Sequence, residues 1–379
     1  MKNQFVSRLL LVVLFAAFIP VSGTFAQDKP SENKGSQYEF KIIKQAETTP
    51  VISQASTSTC WCFATTSMLE SEIIRLGGPV TDLSEMFTVR NVYQDKAGRY
   101  VRLHGSTSFP AGGAQHDVTT SIKKYGIVPE KTYPGLEYGE AAHKHGETQA
   151  VLSGIVEGVI KNRNGKVTPV WKDAFNSVLD VYFGDIPQSF DVDGKSYNPV
   201  SFAKSLPINP DDYIEFSSYL HHPFYETFVL EVPDNWMHKS MYNIPIDELM
   251  DVIENALNKG ITISWAADIT GLNFGSGVAT IPVEGEDPKD PSHKERQISQ
   301  EDRQEVFDNY HLTDDHAMHL VGLAKDQNGK LYFIEKNSWG TGNIYKGFSY
   351  MSESFMRLRT MSIMVHKDGV PKDIMKKLK

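Results

Sequence analysis

The sequence predicts an α+β fold, because helical patterns dominate its first half and strand patterns dominate its end. In the first half, Trp61, Ala64 and Met68 are three and four residues apart, which is the spacing of one helical face. Near the end, the apolar runs 318–324 and 331–336 flank the turn-like segment 326–329 and predict a β-hairpin. A helical part followed by a β-rich part is therefore expected.

The other elements follow from local patterns. A helix is expected to begin at Cys60 and to end at Gly77-Gly78, because glycine commonly terminates a helix. The remaining assignments are a strand within 37–52, helices over 114–125 and 171–183, a hairpin at Asp193-Gly194, a helix from Pro199 capped by Asn198, a helix over 245–257, a buried strand over 261–267, and a charged surface loop or short exposed helix over 284–305.

The first 26 residues are typical of a secretory signal peptide. Lys2 and Arg8 precede the apolar run 9–18, and Thr24-Phe25-Ala26 has the small residues of a cleavage site. Neither a basic stop-transfer segment nor a cysteine follows, which disfavours a membrane or lipoprotein anchor. The sequence therefore predicts export to the periplasm or the medium, a flexible leader over 27–36 and one domain over 37–379, with an inserted or elaborated region at 135–244.

Charge and composition limit the partners. The formal net charge is −9, and the signal peptide contributes only positive charge, so the mature chain is more acidic still. Such a chain is not expected to bind nucleic acid or, after signal cleavage, an anionic membrane. No cofactor is predicted, and association into a homo-oligomer is left open.

Cysteine usage is unusual for an exported protein. The chain has two cysteines, Cys60 and Cys62, with one residue between them. That spacing is unfavourable for a disulfide, and two cysteines are too few for a structural zinc site. A free thiol in an oxidising compartment suggests a chemical role, although a lone cysteine is more often a small buried apolar residue.

Position favours the chemical role for Cys60. The first turn of a helix presents unpaired N–H groups and the positive end of the helix dipole, and both favour a thiolate. A neighbouring imidazolium would lower the pKa of the thiol further. Cys62 is two residues further along the same helix, so it is expected to point away from Cys60 and into the core.

The predicted hairpin supplies partners for this thiol. His316 lies just before its first strand and Asn337 just after its second, so the two side chains are expected to meet at one end. An asparagine oxygen can hold one ring nitrogen of a histidine while the other ring nitrogen faces the thiol. Trp339 would then shield that hydrogen bond from water. Taken singly, these residues read equally well as a turn histidine, a turn asparagine and a core tryptophan.

Taken together, these segments resemble the papain-like cysteine peptidases. Five motifs match in the family's order: Gln54-x5-Cys60-Trp61-x-Phe63-Ala64, Leu83-Ser84-Glu85, Gly112-Gly113, His316-Ala317-Met318 and Asn337-Ser338-Trp339-Gly340. The resemblance implies a two-lobed fold with an insertion, in which a helical N-terminal lobe carries the cysteine and a β-rich C-terminal lobe carries the histidine and asparagine.

The resemblance also implies roles for single residues. Cys60 is the nucleophile, His316 the general base and then the acid, and Asn337 the residue that orients the base. Gln54 corresponds to the donor that stabilises the oxyanion together with the backbone N–H of Cys60. The residues expected to bind substrate are Gly112, Gly113 and Ala317, and the supporting residues are Trp61 and Trp339.

Within this family, the chain looks most like the bleomycin hydrolase and aminopeptidase C branch. The 256 residues from Cys60 to His316 exceed what a plain papain domain needs, and the segments 125–129 and 189–202 are similar to that branch. The resemblance implies an aminopeptidase acting on peptides, with a C-terminal tail that lies in the cleft. The signal peptide and the basic tail at 375–379 depart from the branch.

Three alternatives remain from the sequence. The chain can be an endopeptidase of the same family, a non-catalytic papain-like binding protein, or an acyl transferase using the same cysteine and histidine. The binding protein is disfavoured because Gln54, Cys60, His316 and Asn337 are all present, and the Asn-Ser-Trp-Gly segment favours hydrolysis over acyl transfer. No metal site is predicted, since the histidines at 311, 316 and 319 lack a helical zinc spacing.

Overall fold

Helices concentrate in the first part of the chain and strands in the second, as the sequence predicts. The computed structural model describes residues 37–162, 165–273 and 275–379. The helices are α1 (Cys60–Arg75), α2 (Glu85–Arg102), α3 (Gln115–Tyr125), α4 (Gly146–Ile160), α5 (Val170–Phe183), α6 (Pro199–Ala203), α7 (Ile246–Asn258), α8 (Gln300–Asp308), α9 (Glu353–Arg359) and α10 (Lys372–Met375). Short 3-10 helices span Glu130–Thr132, Pro210–Asp212 and Lys367–Gly369.

The strands assemble almost entirely into one sheet. They are β1 (Lys41–Gln45), β2 (Phe190–Val192), β3 (Lys195–Tyr197), β4 (Tyr213–Ser217), β5 (Thr227–Val229), β6 (Ser240–Asn243), β7 (Ile263–Ala267), β8 (Val278–Ala279), β9 (His316–Lys325), β10 (Leu331–Lys336), β11 (Phe348–Ser352) and β12 (Thr360–His366). The large sheet has the order β5-β6-β4-β12-β7-β9-β10-β11-β8, with β1 also paired to β9, and β2 and β3 form a separate hairpin.

The predicted signal peptide and leader, residues 1–36, lie outside the described residues, so their assignment stays a prediction. Within the described ranges, none of the helices has the length and apolar character needed to cross a bilayer.

The predicted hairpin of β9 and β10 brings His316 and Asn337 to one end of the sheet. Lys336 pairs with His319, so Asn337 follows beside the beginning of β9. The register shifts by one residue between Ile334 and Glu335, because β9 contains a bulge. Since a shift of one residue moves side chains to the opposite face, the bulge helps to set the face on which His316 and Asn337 meet.

Helix α1 is the central helix of the structure. Every residue from Trp61 to Ile73 is buried, although the sequence pattern suggested a single apolar face. The helix lies against β9 and β7 on one side and against α2 and α3 on the other. Some buried polar groups within it are paired; for example, Glu70 accepts a hydrogen bond from the backbone N–H of Leu83 at 2.8 Å. The first residue of α1 therefore lies where the helical and β-rich parts meet.

Two hydrophobic cores correspond to the two predicted lobes. One is built mainly from α1 to α6 and includes Phe87, Val118 and Phe183. The other is formed by α7, α9 and the strands of the sheet, with Trp265 and Phe333 at its centre. The papain-like two-lobed arrangement expected from the sequence is thus present.

The region 135–244 contributes to both lobes. Helices α4 and α5 pack against α2, and the segment from β4 to β6 extends the sheet. The hairpin at Asp193-Gly194 and the Asn198 cap are confirmed: the Asn198 side chain accepts from the N–H of Ser201 at 2.9 Å. Helices α2 and α4 were not predicted from the sequence, and the charged region 284–305 ends in α8, capped by Ser299.

Candidate active site

Cys60 is the first residue of α1, as predicted. As the N-terminal residue of the helix, it has a backbone N–H without an intrahelical acceptor. The residue is partly exposed, and the backbone N–H groups of Ala317 and Trp61 face its thiol. Since Ala317 directly follows His316, this contact places the thiol beside the start of β9.

His316 and Asn337 meet as predicted. His316 Nε2 lies 3.0 Å from Asn337 Oδ1, so Nε2 donates and Nδ1 is left to act as a base. Asn337 Oδ1 also accepts from the backbone N–H of Ser338 at 2.8 Å, which fixes the amide. The His316 ring stacks on Trp339 with 4.5 Å between ring centroids. Both His316 and Asn337 are buried, so the hydrogen bond is shielded from water.

The ionisation of Cys60 differs from the sequence-based expectation. Burial raises the pKa of the Cys60 thiol to about 12, and the charges of Asp234 and Asp315 raise it further, against the lowering effect of the neighbouring N–H groups. Burial also lowers the pKa of His316, although the hydrogen bond to Asn337 opposes this. Burial thus favours the neutral form of each group, and mutual attraction between thiolate and imidazolium is required to offset it.

Gln54 lies beside the other predicted site residues. Its Nε2 donates to the carbonyl of Thr57 at 2.8 Å, and its Oε1 accepts from Ser338 Oγ at 2.6 Å. Its backbone N–H donates to the carbonyl of Ser338 at 2.8 Å, so Gln54 is tied to the segment that carries Asn337. One of the two Nε2 hydrogens is used by Thr57, and the second is available to an oxyanion.

We expect Gln54→Ala to lower kcat by about 10²- to 10³-fold with little change in KM, because an oxyanion donor acts on charge that develops in the transition state. Gln54→Glu is the matched variant, since it keeps an acceptor for Ser338 and loses the donor. Steady-state kinetics on one peptide substrate should give similar losses for both variants. An increase in KM with kcat intact would instead make Gln54 a substrate-binding residue.

Gly112 and Gly113 belong to a segment that lies beside Trp61, the residue after Cys60. The Trp61 indole donates from Nε1 to the carbonyl of Ala111 at 3.0 Å, which attaches this segment to α1 next to the thiol. A Cβ atom at Gly112 would overlap the carboxylate of Asp234, and one at Gly113 would collide with the ring of Trp61. The structure thus places Gly112 and Gly113 close to Trp61 and Asp234, and their role in substrate binding stays a prediction.

Two acidic residues near Cys60, Asp234 and Asp314, were not predicted from the sequence. Asp234 lies against Gly112, and its backbone N–H donates to Asp314 Oδ2 at 2.8 Å. Asp314 and Asp315 directly precede His316, so the sequence could have indicated an acidic group near the predicted site. No sequence pattern indicates Asp234, because the loop between β5 and β6 is brought near Gly112 only by the tertiary fold.

The C-terminal tail does not lie in the cleft, contrary to what the family resemblance implies. The backbone N–H of Lys379 donates to the carbonyl of Tyr225 at 3.0 Å, and Lys379 Nζ lies 3.1 Å from Glu226. Lys377 pairs with Glu248 on α7 at 2.8 Å, and Ile374 is buried in the core of the β-rich lobe. The tail therefore packs on the β-rich lobe at the edge of the sheet and on α7.

Other histidines have structural hydrogen bonds. His319 Nδ1 lies 3.0 Å from Ser67 Oγ in the interior. In the described part of the chain, His221, His222 and Glu231 each place one potential metal-ligand atom within 4.8 Å of the others. His222 Nε2 lies 2.7 Å from Glu231 Oε1, and His221 Nε2 lies 3.2 Å from Oε2, so hydrogen bonding accounts for this group.

Comparison with known proteins agrees with this geometry. Residues 179–379, more than half of the chain, match the Peptidase C1-like family. Aminopeptidase G of Lactobacillus delbrueckii subsp. lactis is 23% identical over 372 residues, which cover 85% of this chain and 82% of that protein. Bleomycin hydrolase of Mus musculus is 22% identical over 392 residues, which cover 90% of this chain and 85% of that protein.

A solved structure has the same fold. The crystal structure of PepW from Lactobacillus rhamnosis HN001 superimposes with a TM-score of 0.68 over 89% of this chain and 84% of that chain, at 18% identity. Similarity at this level of identity concerns the arrangement of the helices and strands described above.

Proposed function

This chain belongs to the Peptidase C1-like family and is a cysteine peptidase with a papain-like fold; from this premise we propose that Cys60, His316 and Asn337 form its catalytic triad and that it acts as an aminopeptidase. The proposal rests on the position of His316 between Asn337 and Cys60. The His316 ring is held by Asn337 at 3.0 Å, and the next backbone N–H, that of Ala317, faces the Cys60 thiol. A nucleophile and an oriented base therefore share one cleft.

The first half of the reaction uses the thiol as nucleophile. Cys60 Sγ attacks the substrate carbonyl carbon while its proton passes to His316 Nδ1. The negative charge that develops on the carbonyl oxygen is stabilised by the backbone N–H of Cys60 and by Gln54 Nε2. His316 then donates the proton to the leaving amine, the C–N bond breaks, and a thioester to Cys60 remains.

The second half restores the enzyme. A water molecule attacks the thioester carbonyl and gives a proton to His316. Collapse of the tetrahedral intermediate releases the peptide or amino acid with a free carboxyl group, and His316 returns the proton to Cys60. Asn337 keeps the same ring nitrogen directed at the reacting atoms throughout, and Trp339 covers that hydrogen bond.

Two observations support aminopeptidase action over endopeptidase action. Relatives named aminopeptidase G and bleomycin hydrolase align along most of this chain. The cleft beside Cys60 also contains the carboxylates of Asp234 and Asp314, which would attract a protonated N-terminus. Export to the periplasm or the medium is proposed from residues 1–26 alone.

We expect the exported protein to begin at Gln27 and to remove residues from the N-terminus of an unmodified peptide. N-terminal sequencing of the purified exported fraction checks the first statement, and mass spectrometry of products over time checks the second. Iodoacetamide should stop the reaction, because it alkylates the nucleophile. Products cut at internal bonds from the earliest times would favour the endopeptidase instead.

A further inference from the structure

We propose that the carboxylates of Asp234 and Asp314 bind the protonated α-amine of the peptide substrate and so restrict cleavage to bonds near a free N-terminus. The inference deepens the proposed peptidase function and rests on it. The family resemblance attributes the preference for a free N-terminus to a C-terminal tail in the cleft. In this structure the tail lies against Tyr225 and Glu226 instead, so the preference is assigned here to two aspartates.

Asp234 belongs to the segment Leu230–Lys239, here called the cleft loop, which connects β5 to β6 and crosses to the helical lobe. Trp236 anchors it there: the residue is 3% exposed, and its Nε1 donates to Asp117 Oδ2 at 2.6 Å. The Trp236 ring also lies 5.7 Å from Lys96 Nζ. The cleft loop thus joins the two lobes at the position of the cleft.

Internal hydrogen bonds make the cleft loop a defined structure. Asn235 Nδ2 donates to the carbonyls of Leu230 at 3.1 Å and Lys239 at 3.0 Å. Asn235 Oδ1 accepts from the backbone N–H of Lys239 at 3.0 Å. One side chain therefore closes the two ends of the loop, and Asp234 is held between this closure and the Trp236 anchor.

The Asp234 carboxylate has the environment of a cation site. It lies against Gly112, and among the described residues it has no hydrogen-bond donor, while the backbone N–H of Asp234 is directed to Asp314. The nearest cation, Lys96, donates its hydrogen bonds to the carbonyls of Pro110 and Gly112. Lys96 is therefore already engaged by these carbonyls and is shared between the carboxylates of Asp117 and Asp234. A substrate ammonium would supply the donors and the positive charge that the Asp234 carboxylate lacks.

The electrostatics of the cleft agree with this assignment. Burial raises the pKa of Asp234 to about 7, the charges of Asp314 and Asp117 raise it further, and Lys96 lowers it. Burial also raises the pKa of Asp314. Ionisation of these carboxyl groups is therefore costly, and a bound cation would relieve that cost.

The pH dependence of selectivity follows from these groups. Asp234 must be ionised to attract an ammonium, so preference for a free amine should weaken as pH falls through about 7. It should weaken again above about 8, where peptide α-amines lose their proton. A plot against pH of kcat/KM for the free peptide divided by kcat/KM for its N-acetylated form should therefore be bell-shaped, and Asp234→Asn should flatten the curve to a ratio near one.

The test is to measure, near pH 7.5, the ratio of kcat/KM for the free peptide to kcat/KM for the N-acetylated peptide, in the wild type and in three variants. Asp234→Asn removes the charge and keeps the shape. Gly112→Ala adds a methyl group that must displace the Asp234 carboxylate. Asp315→Asn is the matched control, because it removes an exposed carboxylate charge that, like that of Asp234, raises the pKa of Cys60.

We expect the wild type to prefer the free peptide by roughly 30-fold or more, the loss typical of removing one partner of a buried charge pair. Asp234→Asn and Gly112→Ala should bring the ratio close to one, and Asp315→Asn should leave it unchanged. Alkylation of Cys60 by iodoacetamide, a neutral reagent, reports whether the cleft of each variant remains intact.

The results distinguish failure of the proposed amine site from failure of the proposed peptidase function. A wild-type ratio near one overturns the amine site and leaves the peptidase in place. A wild-type ratio that Asp234→Asn does not reduce, with Cys60 still alkylated, shows that other groups bind the amine. Absence of hydrolysis of both peptides by the wild type overturns the proposed function and the inference with it.

Discussion

Cys60→Ala should abolish peptide hydrolysis, whereas Cys62→Ala should retain most of it. Removal of a nucleophile from a catalytic triad costs on the order of 10⁶-fold in kcat, so only background hydrolysis should remain. Cys62 is fully buried, its sulfur lies 3.4 Å from the carbonyl of Glu85, and it packs in the core of the helical lobe. Its replacement should lower the free energy of unfolding by about 1 kcal/mol, the usual size of a single-mutation effect.

These two predictions are tested by measuring kcat for Cys60→Ala and Cys62→Ala. Unfolding curves of both variants check that they are folded. Because the two thiols are neighbours on one helix, Cys62→Ala is the closest control that the chain offers for Cys60→Ala. Equal losses of kcat in two well-folded variants would show that Cys60 is not the nucleophile.

His316→Ala should have the second-largest effect, with kcat lowered by about 10⁴- to 10⁶-fold. In the proposed mechanism, the substitution removes the group that accepts the thiol proton and later protonates the leaving amine. Asn337→Ala should cost less, since it removes the 3.0 Å hydrogen bond that orients the ring but leaves the ring itself. His311→Ala is the control, because His311 is exposed and its side chain has no hydrogen bond to the site residues described above.

Activity of His316→Ala within tenfold of the wild type would contradict the assignment of the base. A loss in His311→Ala as large as that in His316→Ala would point to a general disturbance of the chain before β9 rather than to proton transfer.

The sequence was sufficient to predict the placement of Cys60 on α1 and the contact of His316 with Asn337, because short-range order determines both. Helix α1 begins at Cys60, and the turn between β9 and β10 sets the pairing that places Asn337 near His316. The clustering of His316 with Asn337 needed only the prediction of a hairpin. The contact of that hairpin with α1 came from the family resemblance.

Long-range packing explains what could not be predicted. Asp234 meets Gly112 because the cleft loop crosses between lobes, and no local pattern encodes that contact. The position of the tail follows from pairs such as Lys379 with Glu226, which are far apart in sequence. Helix α1 is buried on all sides because it lies between the lobes, so its surroundings, not its own periodicity, decide which residues are covered.

The raised thiol pKa has the same origin. A helix N-terminus and a nearby histidine favour the thiolate and are visible in the sequence, whereas burial and the charges of Asp234 and Asp315 oppose it and come from the fold. In the proposed mechanism, pairing between Cys60 and His316 is therefore the interaction on which activation of the thiol depends.

The most direct test of this pairing is the pH dependence of Cys60 alkylation by iodoacetamide, measured in a Cys62→Ala background so that one thiol reports. With His316 present, attraction between thiolate and imidazolium should keep the midpoint low. In His316→Ala the midpoint should rise toward the burial-raised pKa of about 12, and the rate at pH 6 should fall by about 100-fold or more, since each pKa unit changes the thiolate fraction tenfold. Identical pH profiles with and without His316 would show that His316 does not stabilise the Cys60 thiolate.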